Sequence, residues 1–319
     1  MKVLSLFDGI SCGMVALERV GIPVERYVAY EIEEAAITVS HHNYPNIEHK
    51  GDVFKGDFTQ YVGFDLLIGG SPCTYWSIAR CPHTEHKRET TSSGFGFELF
   101  MQYVRALNEA KPKWFLYENN ESMSDEIKDE ITRWLGVEPI MIDSADFSAQ
   151  TRKRYYWTNI PLQTNWTPCN LVFADILYLH TISPKEIKSF AKYAHTRRDN
   201  GCVVSWDSSG KGNYSQQNRA RRINFKMNTL PSSGNDKNNI YLGNCFFRKI
   251  HPVEAERLQT LPDNYTACIS STIKRIELCG NGWTVDVITH ILKELKNYTY
   301  ITPTLDVFDV SHNEYILGY

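Results

Sequence analysis

Four short apolar runs, each ending on a glycine turn or a carboxylate, punctuate the first 120 residues of this 319-residue chain. They are Val3 to Phe7 before Asp8-Gly9, Tyr27 to Tyr30 before Glu31, Asp65 to Ile68 before Gly69-Gly70, and Trp114 to Tyr117 before Glu118. Helical pattern fills gaps between them: one stretch opens at Met14-Val15-Ala16-Leu17 and stops near Gly21, another fades before Pro45. Continuous apolar strands alternating with helices mark βαβ units. The expected fold is α/β, a mostly parallel sheet with helices on both faces, closed by Ser144 to Tyr156.

From about Trp166 to Leu242 the pattern weakens and Asn, Ser, Gly and Arg become frequent, as in Ser208-Ser209-Gly210-Lys211-Gly212-Asn213. This predicts a small second domain of loops and short strands. Helical spacing returns at Pro252 to Leu261 and at Val285 to Leu295. The tail, 299–319, is β-branched and aromatic and has no assigned role. A chain that is 42% hydrophobic and 22% charged can build a sizeable core, which excludes a disordered or fibrous protein. No run approaches the roughly 20 apolar residues of a membrane span. Met1 to Phe7 lacks a signal-peptide apolar region, so a cytoplasmic protein with no membrane partner is expected.

The net charge of −3 argues against a nucleic-acid partner until its distribution is read. Between Tyr193 and Lys226 stand seven basic residues (Arg197, Arg198, Lys211, Arg219, Arg221, Arg222, Lys226) against Asp199 and Asp207. That window carries +5 and leaves −8 on the rest. Arg152-Lys153-Arg154 also stands without an acid from Phe147 to Ala174. Such runs suit either a solvated loop or an anionic partner, whose binding would weaken with salt. The eight cysteines form no CxxC pair and no zinc-like Cys/His block, so no metal is expected.

Ligands of open α/β sheets bind at the carboxyl ends of the strands. Phe7-Asp8-Gly9-Ile10-Ser11-Cys12-Gly13 is a glycine-bearing loop opening a helix, and Glu31 at the next strand end can accept from ribose hydroxyls. No GxGxxG is present, which weakens a nicotinamide or flavin reading. Gly51-Asp52-Val53 adds an acceptor suited to an adenine amino group. Cys73 follows Gly69-Gly70-Ser71-Pro72, a turn that favours a presented nucleophile over a buried apolar thiol. Glu118 is either a proton donor or half of a structural ion pair. Gln150-Thr151-Arg152-Lys153-Arg154 places Gln, Arg and Arg on one face of an extended segment.

These blocks occur in order with Glu254-Ala-Glu-Arg-Leu-Gln-Thr-Leu-Pro-Asp-Asn-Tyr265 and Gly280-Asn281-Gly282-Trp283. Together they resemble the cytosine-5 DNA methyltransferase family over Met1 to about Leu295. Chain size is similar to stand-alone phage or bacterial members, some of which serve restriction-modification systems. Ser11-Cys12-Gly13, Ser71-Pro72-Cys73 and Gly280 to Trp283 are more similar to the de novo branch. Thr74, Asn120 and Ser11-Cys12 depart from the family's usual Gln, Val and Gly-Gly.

The resemblance implies a Rossmann-like class I S-adenosylmethionine-dependent fold. It divides into a catalytic and cofactor domain (1–165), a target-recognition domain (166–245) and a C-terminal segment (246–319) folding back onto the first. It implies a monomer acting on double-stranded DNA, with the cytosine flipped out of the duplex. Cys73, Glu118, Arg152 and Arg154 would be catalytic. S-adenosyl-L-methionine would lie among Phe7, Asp8, Gly9, Ile10, Glu31, Ile32, Asp52, Val53, Pro72, Leu99, Asn281, Gly282 and Trp283. DNA would meet Ser77, Arg80, Gln150, Arg197, Arg198, Arg219, Arg221 and Arg222. The segment Thr74 to Gly96 would close over the base. RNA methylation and an inactive DNA-binding homologue are the competing readings.

Overall fold

Strands β1 (Lys2–Leu6), β2 (Arg26–Tyr30), β3 (Glu48–His49), β4 (Leu66–Gly69), β5 (Trp114–Asn120), β6 (Ile140–Asp143) and β7 (Lys153–Thr158) form one sheet. Their order is β3-β2-β1-β4-β5-β7-β6. The first five run parallel, and β7 is antiparallel to β5 and β6. These positions come from a computed structural model that describes residues 1–77, 88–179, 182–212, 214, 218–231 and 238–297.

Successive side chains leave a strand on opposite faces, so each apolar run supplies two layers. Val3, Tyr27, Ala29, Leu66 and Ile68 enter one core; Leu4, Leu6, Val28, Tyr30 and Leu67 enter the other. Helices α1 (Cys12–Val20), α2 (Glu34–Asn43), α3 (Phe95–Ala110) and α4 (Asp125–Leu135) connect the strands. Gly21, at φ 77, stops α1. A Cβ on Gly13 would stand 2.3 Å from Ile68 Cδ1, so a larger residue there would have to displace the end of that side chain where α1 lies against the sheet. Sequence periodicity left α3 and α4 unassigned, although Ser124 caps α4 and Asp125 and Glu126 fill its first turn.

A second sheet contains β8 (Lys188–Ser189), β9 (Arg198–Asp199), β10 (Val203–Ser205), β11 (Arg219–Arg222), β12 (Asn239–Gly243) and β13 (Phe246–Lys249), ordered β8-β13-β12-β11-β10-β9. Its small core stacks Phe190 on Trp206 at 4.5 Å, with Val204, Ala220 and Phe247 around them. Because β13 pairs with β12, this sheet runs to Lys249, past the expected boundary at 245.

The chain then returns through α5 (Pro252–Leu258), α6 (Thr272–Asn281) and α7 (Val285–Leu292). Ile288, Ile291 and Leu292 join Val15 and Leu17 in one core, Arg19 pairs with Asp286 at 2.6 Å, and Tyr265 donates to the Ile10 carbonyl at 2.7 Å. Helix α7 is thus part of the first sheet's core.

Arg248 on β13 grips Glu254 on α5 with two bonds of 2.8 and 2.6 Å, both side chains buried. Replacing Arg248 by Met would leave that carboxylate without its counter-charge. Urea unfolding of Arg248→Met is expected to show a loss of about 3–5 kcal/mol, whereas a change within 0.5 kcal/mol would refute a structural role for the pair.

Candidate active site

The carboxyl ends of β4 and β5 bring the cysteine and the glutamate together. Leaving β4, Ser71 and Pro72 lead into a 3₁₀ turn at Cys73–Tyr75, on which Cys73 is half-buried. Beside it β5 carries Glu118 and Asn120 on one face. Asn120 donates from Nδ2 to the Cys73 carbonyl at 3.2 Å, while Asn119 donates to the Ser71 carbonyl at 3.0 Å. Both amides anchor the cysteine turn to the glutamate strand. A Cβ on Gly70 would stand 2.7 Å from the Glu118 carbonyl and 3.0 Å from its Oε2, so glycine is needed for this approach.

Glu118 is only 8% exposed and is braced on both oxygens. Arg154 Nε lies 2.9 Å from Oε1, and Trp283 Nε1 donates to Oε2 at 2.9 Å. The structure places Glu118 in an ion pair with Arg154, on the same strand end that faces the cysteine turn. Trp283, expected only to close the cofactor cleft, is a direct partner of Glu118. No spacing in the sequence signals that link across 165 positions.

Arg152 points elsewhere. It is 4% exposed, and its Nη2 donates to the carbonyls of Gly280 and Gly282 at 3.2 and 3.0 Å. Burial, then the nearby charge of Arg154, pulls its guanidinium down to about 10. Its expected contact with the base is replaced by a clamp on the returning chain. Gln150, expected on the DNA, is fully buried and donates to the Leu258 carbonyl and to Gln259 Oε1, both at 2.8 Å. It locks α5 to the segment before β7 and offers no surface to DNA.

The first three strand ends form the other half of the cleft. Gly9 N–H donates to Glu31 Oε2 at 2.8 Å, and the N–H groups of Ile32 and Glu33 donate to Oε1 at 2.8 Å. Burial raises the Glu31 carboxyl above its ordinary range, opposed by these three bonds. Three donors leave one of a carboxylate's four acceptor positions open, on Oε2. Asp52 caps the next turn by accepting from Phe54 N–H at 3.0 Å. Ile32 stands 72% exposed, and open space lies over Gly9 and Gly51. An open acceptor beside an exposed apolar side chain fits a ribose and a purine face. Asp8, at the end of β1, accepts from the Ser5 and Tyr27 hydroxyls on Oδ1 and from the Ser11 hydroxyl on Oδ2. Val53 and Leu99 are buried, Phe7 is half-buried, and Asn281 is exposed. Ile10 is buried, Pro72 is exposed, and Gly282 ends α6. Cys12, where the family has glycine, packs beside Gly282, and burial pushes its thiol up to about 12.

The stems of the expected closing segment are tied down. Trp76 is fully buried, Arg88 donates to the Trp76 and Ser122 carbonyls at 3.0 and 2.6 Å, and Glu89 accepts from Gly96 N–H at 3.0 Å. Ser77 is half-buried, with its N–H on the Cys73 carbonyl. Arg80 lies outside the described residues, as does the 299–319 tail.

The basic window divides into spent and unspent charges. Lys226 is caged by the Ser148 and Leu171 carbonyls at 3.0 and 2.8 Å, and Arg222 is paired with Asp199 at 2.6 Å. Arg197, Arg198 and Arg219 are exposed, with Arg198 stacked 3.9 Å from the Tyr214 ring centre.

This strand order, with the Glu31 turn and the Cys73–Glu118 pair at its strand ends, fits a Rossmann-like methyltransferase fold. The chain belongs to the C-5 cytosine-specific DNA methylase family, which matches residues 1–297. It is 37% identical over 121 residues to the orphan methyltransferase M.SPRI of Bacillus phage SPR, a match covering 37% of this chain and 26% of that protein. With M.Rho11sI of Bacillus phage rho11s the share of the relative is 23%, so the chain spans about a quarter of the length of these phage proteins. Type II methyltransferase M.FnuDI of Fusobacterium nucleatum is 25% identical, across 93% of this chain and 94% of its own length. Among solved structures, the S. pombe Dnmt2 methyltransferase superposes with a TM-score of 0.64 at 16% identity, covering 94% of this chain and 100% of that one. At that identity the likeness speaks for the fold. Among the described residues no helix is long and apolar enough to cross a membrane.

Proposed function

We propose that the chain is a DNA cytosine-5 methyltransferase using S-adenosyl-L-methionine, acting on a cytosine turned out of double-stranded DNA. The observation that carries this reading is the Glu118 carboxyl, held between Arg154 and Trp283 and tied through Asn120 to the Cys73 turn.

Carbon 5 of cytosine is a poor nucleophile. Addition of the Cys73 thiolate to carbon 6 moves electron density to carbon 5, and a proton from Glu118 at ring nitrogen 3 takes up the charge. S-adenosyl-L-methionine, when bound, supplies the electrophilic methyl group that carbon 5 attacks. A base then takes the carbon-5 proton, the Cys73 thiolate leaves carbon 6, and the nitrogen-3 proton returns to Glu118, restoring the ring. Arg154 keeps Glu118 aimed and, as the arginine nearer the nucleophile, would bind the base carbonyl. Arg152 acts behind it by holding Gly280 and Gly282, and with them Trp283, in place. Glu31, Ile32 and Asp52 would hold the ribose and adenine. The target carbon is inaccessible in a stacked duplex, so flipping precedes addition.

Tritiated methyl transfer measured side by side on duplex DNA and on RNA tests the reading. Incorporation into DNA, mapped by bisulfite sequencing to cytosines, is the expected result. Incorporation into RNA alone would favour the RNA reading, and none into either would favour an inactive homologue.

A further inference from the structure

A cavity of about 310 Å³ lies where the second sheet meets the segment leading to Arg154. Its lining includes Thr151, Arg219, Arg221, Met227, Asn228 and Asn238. Thr151 donates its N–H to the Met227 carbonyl at 2.8 Å and accepts from Thr229 Oγ1 at 2.7 Å, so the two domains share this wall. Among the described residues no carboxylate lines it.

Two of its side chains hold buried donors with no partner among the described residues: Arg221 through Nε and Asn238 through Nδ2. Asn238 is only 3% exposed. Leaving such donors unpaired costs free energy unless a ligand completes them. Arg221 is also oriented. Its Nη1 donates to Asn228 Oδ1 at 2.5 Å, which leaves the Nε–Nη2 edge as a two-donor fork. Its neighbour Arg222 points to Asp199 instead, so Arg221 is a half-buried guanidinium of β11 with no ion pair among the described residues.

We propose that this cavity reads a guanine in the recognised DNA site, with the Arg221 fork on O6 and N7 and Asn238 as a further donor. The proposal rests on the DNA methyltransferase reading and adds to it a base and the residues that select it. In the major groove only guanine presents two adjacent acceptors, and the arginine fork matches that spacing. A backbone phosphate offers acceptors too. Apolar Met227 in the wall and the enclosure of both donors favour a planar base edge over a fully hydrated anion.

The test methylates a library of duplexes with randomised flanks and reads each context by bisulfite sequencing. Wild type is expected to require guanine at one fixed position. Arg221→Ala should lower discrimination at that position at least tenfold, changing which sites are modified. Because a variant can fail to fold, 7-deazaguanine at that position is tested against the unaltered protein. Loss of N7 should cut wild-type methylation severalfold and leave Arg221→Ala unaffected by the analogue. A uniform fall across all contexts with a shallower salt dependence would mark a phosphate contact and overturn the proposal. Unchanged context preference in Arg221→Ala, or indifference of wild type to 7-deazaguanine, would overturn it as well. Wild type that methylates no DNA would instead refute the underlying function.

Discussion

Cys73→Ser is expected to lower methyl transfer by about three orders of magnitude or more and to abolish covalent capture of DNA carrying 5-fluorocytosine. Serine is nearly isosteric, so the turn held by Asn120 and Asn119 should keep its shape. What changes is the nucleophile: a hydroxyl stays protonated at neutral pH, whereas a thiol yields thiolate readily. Cys73 is half-buried at the mouth of a strand-end turn, while Cys12 and Cys279 are buried with their thiols pushed up by desolvation. Fluorine at carbon 5 cannot leave as a proton does, so a true intermediate accumulates as a protein–DNA band in a denaturing gel. If Cys73→Ser traps as much DNA as wild type, or wild type traps none, the covalent mechanism is wrong.

Glu118→Gln is expected to reduce kcat about 10²- to 10⁴-fold, the range spanned by a general acid. The amide preserves volume but cannot copy the carboxylate. Its oxygen can accept from Trp283 or from Arg154, and its NH₂ then faces the other donor. The proton source for ring nitrogen 3 is lost as well. DNA binding, measured by fluorescence anisotropy, should change far less than turnover, because the exposed arginines of the second sheet lie outside this contact. Trp283→Phe, which removes one donor and keeps the carboxyl, should fall between wild type and Glu118→Gln. Equal turnover in Glu118→Gln and wild type would remove Glu118 from the chemistry.

The residues legible in advance were those whose placement is local. Apolar runs ending on Gly9, Glu31, Gly70 and Glu118 announced parallel strands, and strand ends announced the cleft. Pro72 before Cys73 announced a presented thiol. Strands β8 and β9, two residues each, are too short to carry a period of their own. Their stability comes from pairing and burial, so the pattern missed them.

The direction of the long polar side chains was another matter. Gln150, Arg152 and Arg154 alternate on one extended face, and that regularity made them look equivalent. Folding separated them. Gln150 and Arg152 were captured by backbone groups more than 100 positions away, left unpaired where α5 and α6 end. Arg154 was captured by Glu118 across the antiparallel β5–β7 pair. Arg221 and Arg222 diverged in the same way, one toward a cavity and one toward Asp199. Backbone conformation and strand period depend on neighbours in the chain, so the amino-acid order alone carried the α/β fold and placed Cys73 on a strand-end turn. Where a guanidinium points depends on which distant carbonyl or carboxylate lacks a partner, and that exists only once the chain's end has packed back onto its beginning.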